Sequence, residues 1–164
     1  MENKPVSNRL YSIIVLYEMH TDFLIRALDG LNDEDAMKRL DTEANHIAWI
    51  TGSIVTGRYD LAKSFGIDLT AFTGALFANH NGIQDGVIYP SLDAFRKDWS
   101  AISPVLQKAL TEATDEKLNE PFVMPGMEIN LFDMIAFNTY REANCIGQIA
   151  LWRRLLGYKG MNYM

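Results

Sequence analysis

Four side chains that could bind or react with a small molecule recur at helical spacing near the carboxyl end of the chain. They follow one another at steps of three or four residues, and they are Asn138, Arg141, Cys145 and Gln148. On a helix such residues share one face, and apolar residues continue that face on either side of them between positions 131 and 156. A core-facing stripe that turns polar at its centre indicates a binding site or a buried polar network.

Arg141 is the charged member of this stripe, and arginine stays protonated in proteins. A buried guanidinium normally has a carboxylate partner within the fold, so the expected arrangement is an internal ion pair. The candidate partners are Glu18, Glu43 and Glu142, although Glu142 is expected to point elsewhere on its own helix. The alternative is a pocket in which Arg141 binds an anionic ligand.

Cys145 and the three histidines are the other residues that could carry chemistry. We interpret Cys145 as a small apolar side chain, with activation of its thiolate by Arg141 as the alternative. His20 lies in the apolar stripe of the first helix, which favours a core or pocket-edge histidine over a ligand or a base. His80 lies between two asparagines and is expected to take part in a turn.

The composition limits the class of protein. The chain has 164 residues, 48% hydrophobic and 22% charged, which is enough for a single globular domain over residues 1–164. Its formal charge of −6 disfavours a nucleic-acid partner. The sequence shows neither a membrane span nor a signal peptide, and its single cysteine excludes an internal disulfide. A cytoplasmic protein without a membrane partner is expected.

Helical periodicity predicts an all-α fold. Four long helices are expected near residues 7–31, 42–60, 91–113 and 130–157, the last one capped by Asn130 with Asp133 in the capping-box position. Residues 66–90 contain several glycines and turn residues, which predict a long loop with short local structure between helices two and three. The alternation around residues 120–130 predicts a short extended segment or hairpin before helix four. These elements are typical of a four-helix bundle.

Three segments resemble the DinB-like superfamily: NHIAWITGSI in helix two, YPSLDAF at the start of helix three and CIGQIALWRRLLG in helix four. The resemblance covers nearly the whole chain. It implies a four-helix bundle of up-down-down-up topology, and it implies a homodimer because relatives often form one.

Many DinB-like proteins hold a metal such as zinc or nickel on three histidines, and the resemblance places those positions at Ser53, Arg141 and Cys145. The guanidinium of Arg141 would repel a cation. His46 is the weak alternative ligand, but it lies seven residues before Ser53, about 10.5 Å along an ideal helix. We therefore expect no bound metal and no other cofactor.

These residues favour a divergent, metal-free DinB-like protein that binds a small, possibly anionic ligand in a polar pocket. The pocket candidates are Ser53, Asn138, Arg141, Cys145, Gln148 and His20. One alternative is a divergent thiol-dependent S-transferase-like enzyme, a class to which some relatives belong. Another is a structural or regulatory homodimer without catalysis. The sequence leaves open whether the protein is an enzyme.

Overall fold

The computed structural model describes residues 4–124 and 126–164, apart from the side chains of residues 78–80, Met124 and Met127. It is mostly helical. The four long helices are α1 (Tyr11–Leu28), α3 (Ile47–Lys63), α4 (Leu92–Glu112) and α6 (Leu131–Leu155). The shorter elements are α2 (Asp33–Ala36), α5 (Asp115–Leu118), the strands β1 (Pro121–Met124) and β2 (Met127–Asn130), and 3-10 helices at Asn8–Leu10 and Gly74–His80.

Each long helix packs against two others: α1 against α4 and α6, and α3 against the same two helices. α1 and α6 run in the same direction, because their beginnings meet and their ends meet. The guanidinium of Arg9 lies 4.2 Å over the Phe132 ring at one end. At the other end, Arg153 Nη1 donates to the carbonyl oxygens of Ala27 at 2.8 Å and Asp29 at 2.6 Å.

α4 runs antiparallel to α1. Trp99 Nε1 donates to the carbonyl of Thr21, while Arg96, one turn earlier in α4, donates to the carbonyl of Leu28 near the end of α1. Most of the core between the four helices is apolar, and its fully buried residues include Leu10, Leu24, Leu28, Ile50, Ile54, Phe95, Trp99, Ile102, Leu106 and Ile149. Within the described residues, no helix is both long and apolar enough to cross a membrane.

Local signals account for most of the element boundaries. Asn130 Oδ1 accepts a hydrogen bond from the backbone N–H of Asp133 at 2.9 Å, and Asp133 Oδ2 accepts one from the backbone N–H of Asn130 at 3.2 Å. These two bonds confirm the capping box. Ser91 caps α4 as expected. β1 and β2 form the predicted hairpin, with Pro121 paired to Asn130.

The second long helix begins later than predicted. α3 starts at Ile47 instead of residue 42, because His46 is its N-cap and accepts from the N–H of Trp49 through Nδ1 at 3.1 Å. Residues 42–46 are bends and irregular backbone, and they follow a turn in which Leu40 and Asp41 both have positive φ. The first helix is also shorter than residues 7–31: it begins with a 3-10 turn and ends at Leu28.

The long connection between α3 and α4 contains the expected short local structure, the 3-10 helix Gly74–His80. Its Phe77 ring packs against Trp49 and Phe95, with ring centroids 6.4 Å and 6.1 Å apart. A Cβ on Gly52 would overlap the Phe77 ring and lie 2.7 Å from Phe95 Cε1. The glycine in the middle of α3 therefore makes room for this packing.

Candidate functional site

Arg141 reaches from α6 to the backbone of α3. Its side chain is partly buried, and Nη1 and Nη2 each lie 3.3 Å from the carbonyl oxygen of Ser53. Nη2 also donates a close hydrogen bond to Ser53 Oγ. A Cβ on Gly57 would lie 2.9 Å from Arg141 Nη1 and 3.5 Å from Asn138 Oδ1, so these two side chains approach α3 where it has no side chain. We call Ser53, Gly57, Asn138 and Arg141 the Arg141 site.

The prediction that Arg141 forms an ion pair with a carboxylate is wrong. None of the described carboxylates lies within salt-bridge distance of its guanidinium. Glu43 pairs with Arg39, Glu18 accepts from Gln107, and Glu142 faces a different arginine. Because Arg141 keeps part of its surface in water, it does not need the counter-ion that a fully buried guanidinium requires.

The fully buried ion pair joins Arg58 of α3 to Glu142 of α6. Arg58 is 1% exposed and Glu142 is 6% exposed. Arg58 Nε lies 2.7 Å from Glu142 Oε1, and Nη2 lies 2.8 Å from Oε2, a bidentate geometry that suits arginine. Burial opposes ionisation of Glu142, but the charge and hydrogen bonds of Arg58, with a smaller influence of neighbouring His20, outweigh it and lower the pKa of Glu142.

The surroundings of Arg58 satisfy the rest of its guanidinium. Its central carbon lies 3.8 Å from the Tyr17 ring centroid and 3.5 Å from that of Trp99. Nη1 donates to Thr21 Oγ1 and Ser103 Oγ, both at 2.8 Å. This network contains residues of all four long helices.

Glu142 points away from Arg141, as expected, but sequence reasoning missed Arg58 and did not predict that Glu142 is buried, although a signal for that burial was present. Glu142 lies seven residues after Ile135 and seven before Ile149, both of which are buried. Residues seven apart on a helix share a face, so this spacing predicts a buried Glu142. Nothing comparable marks Arg58 as its partner, since the two residues are 84 positions apart.

His20 lies beside this ion pair, and among the described residues no hydrogen bond joins it to the Arg141 site. It is 5% exposed, and its Nδ1 lies 3.3 Å from Glu142 Oε2 without hydrogen-bond alignment. The interpretation of His20 as a core histidine therefore fits better than a role at the pocket edge.

Cys145 follows Arg141 by one turn and is partly buried against the apolar core. Burial raises the pKa of its thiol; the charge of Arg141 opposes this rise and that of Glu142 adds to it. Activation of the thiolate by Arg141 would require a lowered pKa, so the direction of this shift does not favour that alternative. The interpretation of Cys145 as a small apolar side chain agrees with this environment.

Gln148 does not face inward as predicted. It is exposed, and its Nε2 donates to the exposed Asn144 Oδ1 at 2.6 Å. Asn144, one turn before Gln148, and Leu151, three residues after it, are exposed as well, so this side of α6 faces solvent at Gln148. Asn138, Arg141 and Cys145 remain partly buried.

The alternative metal ligand His46 is engaged elsewhere. Its Nδ1 caps α3, its ring packs against Tyr89 with centroids 4.9 Å apart, and burial lowers its pKa. The side chain of His80 lies outside the described residues. Within the part of the chain that the structure describes, no three His, Cys, Asp or Glu side chains are grouped to hold a metal ion.

Two buried polar groups on α3 lack a hydrogen-bond partner among the described residues, although buried polar groups normally have one: Trp49 Nε1 and Thr56 Oγ1. The contacts of both residues are with the 3-10 helix Gly74–His80. The Trp49 ring packs against Phe77, and Thr56 Oγ1 lies 3.9 Å from where a Cβ on Gly74 would be. We therefore do not count them among the donors of the Arg141 site.

Comparisons with protein-family models, with curated proteins and with solved structures found no match for this chain. Its function is therefore inferred from the chemistry of its own side chains.

Proposed function

We propose that this chain is a divergent DinB-like protein that binds a small anion at the Arg141 site without a metal. The directions of the long helices support a four-helix bundle of up-down-down-up topology. α1 and α6 are parallel to each other, α4 is antiparallel to α1, and the contacts of α3 with α6 (Ser53 with Arg141, Gly57 with Asn138) run antiparallel.

The positions matched by the resemblance also support this assignment. Ser53 and Arg141 are in contact, and Cys145 follows one turn later on the same side of α6. A DinB-like protein would hold its metal at these three positions. In this chain these positions hold the permanently charged Arg141, the hydroxyl of Ser53 and the Cys145 thiol, whose pKa is raised. These three side chains do not fit a metal ion.

The observation that carries the proposal is a partly buried guanidinium whose described contacts are all uncharged. Hydrogen bonds between arginine and an anion are roughly twice as strong as neutral ones, and arginine has five N–H donors. The contacts with Ser53 engage only the two terminal nitrogens. The remaining donors suit phosphate or a small carboxylate.

Thermal melts in phosphate or succinate, against chloride of equal ionic strength, test the proposal. We expect the melting temperature of the parent to rise with anion concentration, because a ligand that binds only the folded state stabilises it. Arg141→Met should lose this rise while changing the stability without anion by no more than about 1 kcal/mol, since it breaks no ion pair.

Arg154→Met is the matched control, because Arg154 is an exposed arginine near the end of the same helix. It should keep the full anion-dependent rise. Absence of any rise in the parent, or an equal rise in Arg141→Met, would contradict anion binding at this site.

A further inference from the structure

A cavity of about 650 Å³ lies at the end of the bundle where α1 and α6 both finish, and we call it the Arg153 cavity. Residues between Ile25 and Gly30, at the end of α1, form one side of it. Arg153 of α6 and residues of the following segment, 158–164, form the other side. Sites that bind small molecules usually have volumes of roughly 300–1,000 Å³. The size of this cavity is therefore that of a ligand site, and its described lining shares no residue with the Arg141 site.

Side-chain contacts hold the segment 158–164 against α1 and α2. The Tyr163 ring packs edge-to-face on the Phe23 ring of α1, with the centroids 5.6 Å apart. Tyr158 Oη accepts a hydrogen bond from Asn32 Nδ2 at 2.9 Å, and Met161 is buried. This wall of the cavity is therefore a packed part of the fold.

Arg153 is the buried cation of the cavity. It is 6% exposed, and none of the described carboxylates lies within salt-bridge distance of it. Nη1 donates to the carbonyl oxygens of Ala27 and Asp29, and Nε donates to that of Lys159. The carbonyl dipoles at the end of a helix favour a cation but carry no net charge. Among the described residues no hydrogen bond engages Nη2, which leaves this nitrogen for a ligand.

The charges around the cavity leave a single positive charge without a partner. Its described lining contains three cations and one carboxylate, namely Arg26, Arg153, Lys159 and Asp29. Arg26 pairs with Asp22 at 2.6 Å, which lies outside the lining. One anionic charge would balance the remainder, whereas Asp29 would repel the second charge of a dianion.

Apolar groups form much of the remaining lining. The side chains of Ile25, Tyr158 and Met164 contribute them. Gly160 adds no side chain, and a Cβ there would meet nothing within 4 Å, so the cavity is open beside it. An apolar group of a ligand would release water from these surfaces, as in most small-molecule sites.

We propose that the Arg153 cavity binds a monocarboxylate with an apolar body. Arg153 Nη2 and the ammonium of Lys159 donate to the carboxylate, and Ile25 and the Tyr158 ring contact the body. Binding here is independent of the anion proposed at the Arg141 site, since the two sites share no residue.

Titration calorimetry of the full chain in chloride buffer, with phenylacetate, phenylacetamide and acetate as probes, tests the ligand class. Phenylacetamide keeps the ring without the charge, and acetate keeps the charge without the ring. We expect saturable binding of phenylacetate and at least about tenfold weaker binding of the other two, because hydrogen bonds to charged groups and apolar burial both contribute. Arg141→Met should bind phenylacetate as the parent does.

Lys159→Glu tests the place of binding. Lys159 is exposed, so the substitution spares the contacts that Arg153 makes with the end of α1. It should weaken phenylacetate binding by roughly tenfold or more. Lys97→Glu is the matched control, because it changes the net charge equally at an exposed lysine of α4 outside the cavity lining. It should bind phenylacetate as the parent does, and circular dichroism should show unchanged helix content in both variants.

Four outcomes overturn this assignment. They are the absence of phenylacetate binding, equal binding of phenylacetamide, equal effects of Lys159→Glu and Lys97→Glu, and loss of phenylacetate binding in Arg141→Met. A phosphate-dependent rise in melting temperature without phenylacetate binding would overturn the Arg153 cavity as a site and leave the Arg141 proposal standing.

Discussion

Arg58 and Arg141 both lie at the contact between α3 and α6, but they differ in burial, which decides what their removal costs the fold. Arg58 is enclosed by two aromatic rings and paired with Glu142, whereas Arg141 is partly exposed and, among the described residues, donates hydrogen bonds to Ser53 alone. Removing one partner of a buried pair leaves an uncompensated charge, which is costly. A partly solvated arginine can be replaced with little effect on the fold.

We therefore expect Arg58→Met and Glu142→Gln each to lower the free energy of unfolding by about 3–5 kcal/mol. Arg141→Met, measured in the same urea titrations, should stay within about 1 kcal/mol of the parent. Equal effects at Arg58 and Arg141 would show that the two guanidinium groups are equally buried.

Cys145 offers a second prediction at this scale. Its raised pKa keeps the thiol protonated at neutral pH, so alkylation by iodoacetamide should be slow and should have a midpoint above the reference value of 9.0. Arg141→Met should move the midpoint further up, because the charge of Arg141 lowers the thiol pKa. A midpoint below that of free cysteine would restore the reactive-thiol alternative.

At the scale of the element, α3 contains two glycines that serve different neighbours. The backbone at Gly52 lies against the rings of Phe77 and Phe95, which are held in the core. The backbone at Gly57 lies against the end of the Arg141 side chain, which can move aside. The same substitution should therefore have opposite consequences at the two positions.

Gly52→Ala should destabilise the protein by about 1–3 kcal/mol, because overpacking outweighs the better helix propensity of alanine. Gly57→Ala should be neutral or stabilising by up to about 1 kcal/mol. It should also weaken the anion-dependent rise in melting temperature by displacing the guanidinium from Ser53. Chemical unfolding and the phosphate melts check the two parts, and a stable Gly52→Ala variant would mean that Phe77 does not pack on α3.

For the molecule as a whole, the buried network around Arg58 connects α1, α3, α4 and α6. It includes Glu142 of α6, Thr21 of α1 and Ser103 of α4. Protonation of Glu142 would remove the charge on which the arginine depends, and all four helices would lose a shared contact. Acid should therefore weaken the whole fold cooperatively.

The direction of this pH dependence follows from the lowered pKa of Glu142. Its stabilisation is fully present above the unfolded-state pKa, near 4.5, and is lost as the pH falls through the lower folded-state pKa. From neutral pH to about pH 3, the parent should lose more free energy of unfolding than Glu142→Gln, which has no carboxyl group to protonate at this position. Parallel losses in urea titrations of both proteins would contradict this role.

The sequence by itself determined the features that depend on neighbours along the chain. The capping box of Asn130 and Asp133, the Ser91 cap, the hairpin and the approximate extent of the long helices all follow from contacts between residues a few positions apart. The start of α3 was misplaced because the side chain of His46 acts as the cap, a role for which Ser, Thr, Asp and Asn are the usual residues.

Only the tertiary structure decided which charges meet. Consecutive residues on a helix differ by about 100° in direction, so small errors in rotation exchange an inward for an outward side chain. Gln148 points outward, Glu142 points inward and pairs with Arg58, and Arg141 contacts Ser53. Pairing across helices depends on their relative rotation and register, which the packing of all four helices sets together and which no single stretch of the sequence specifies.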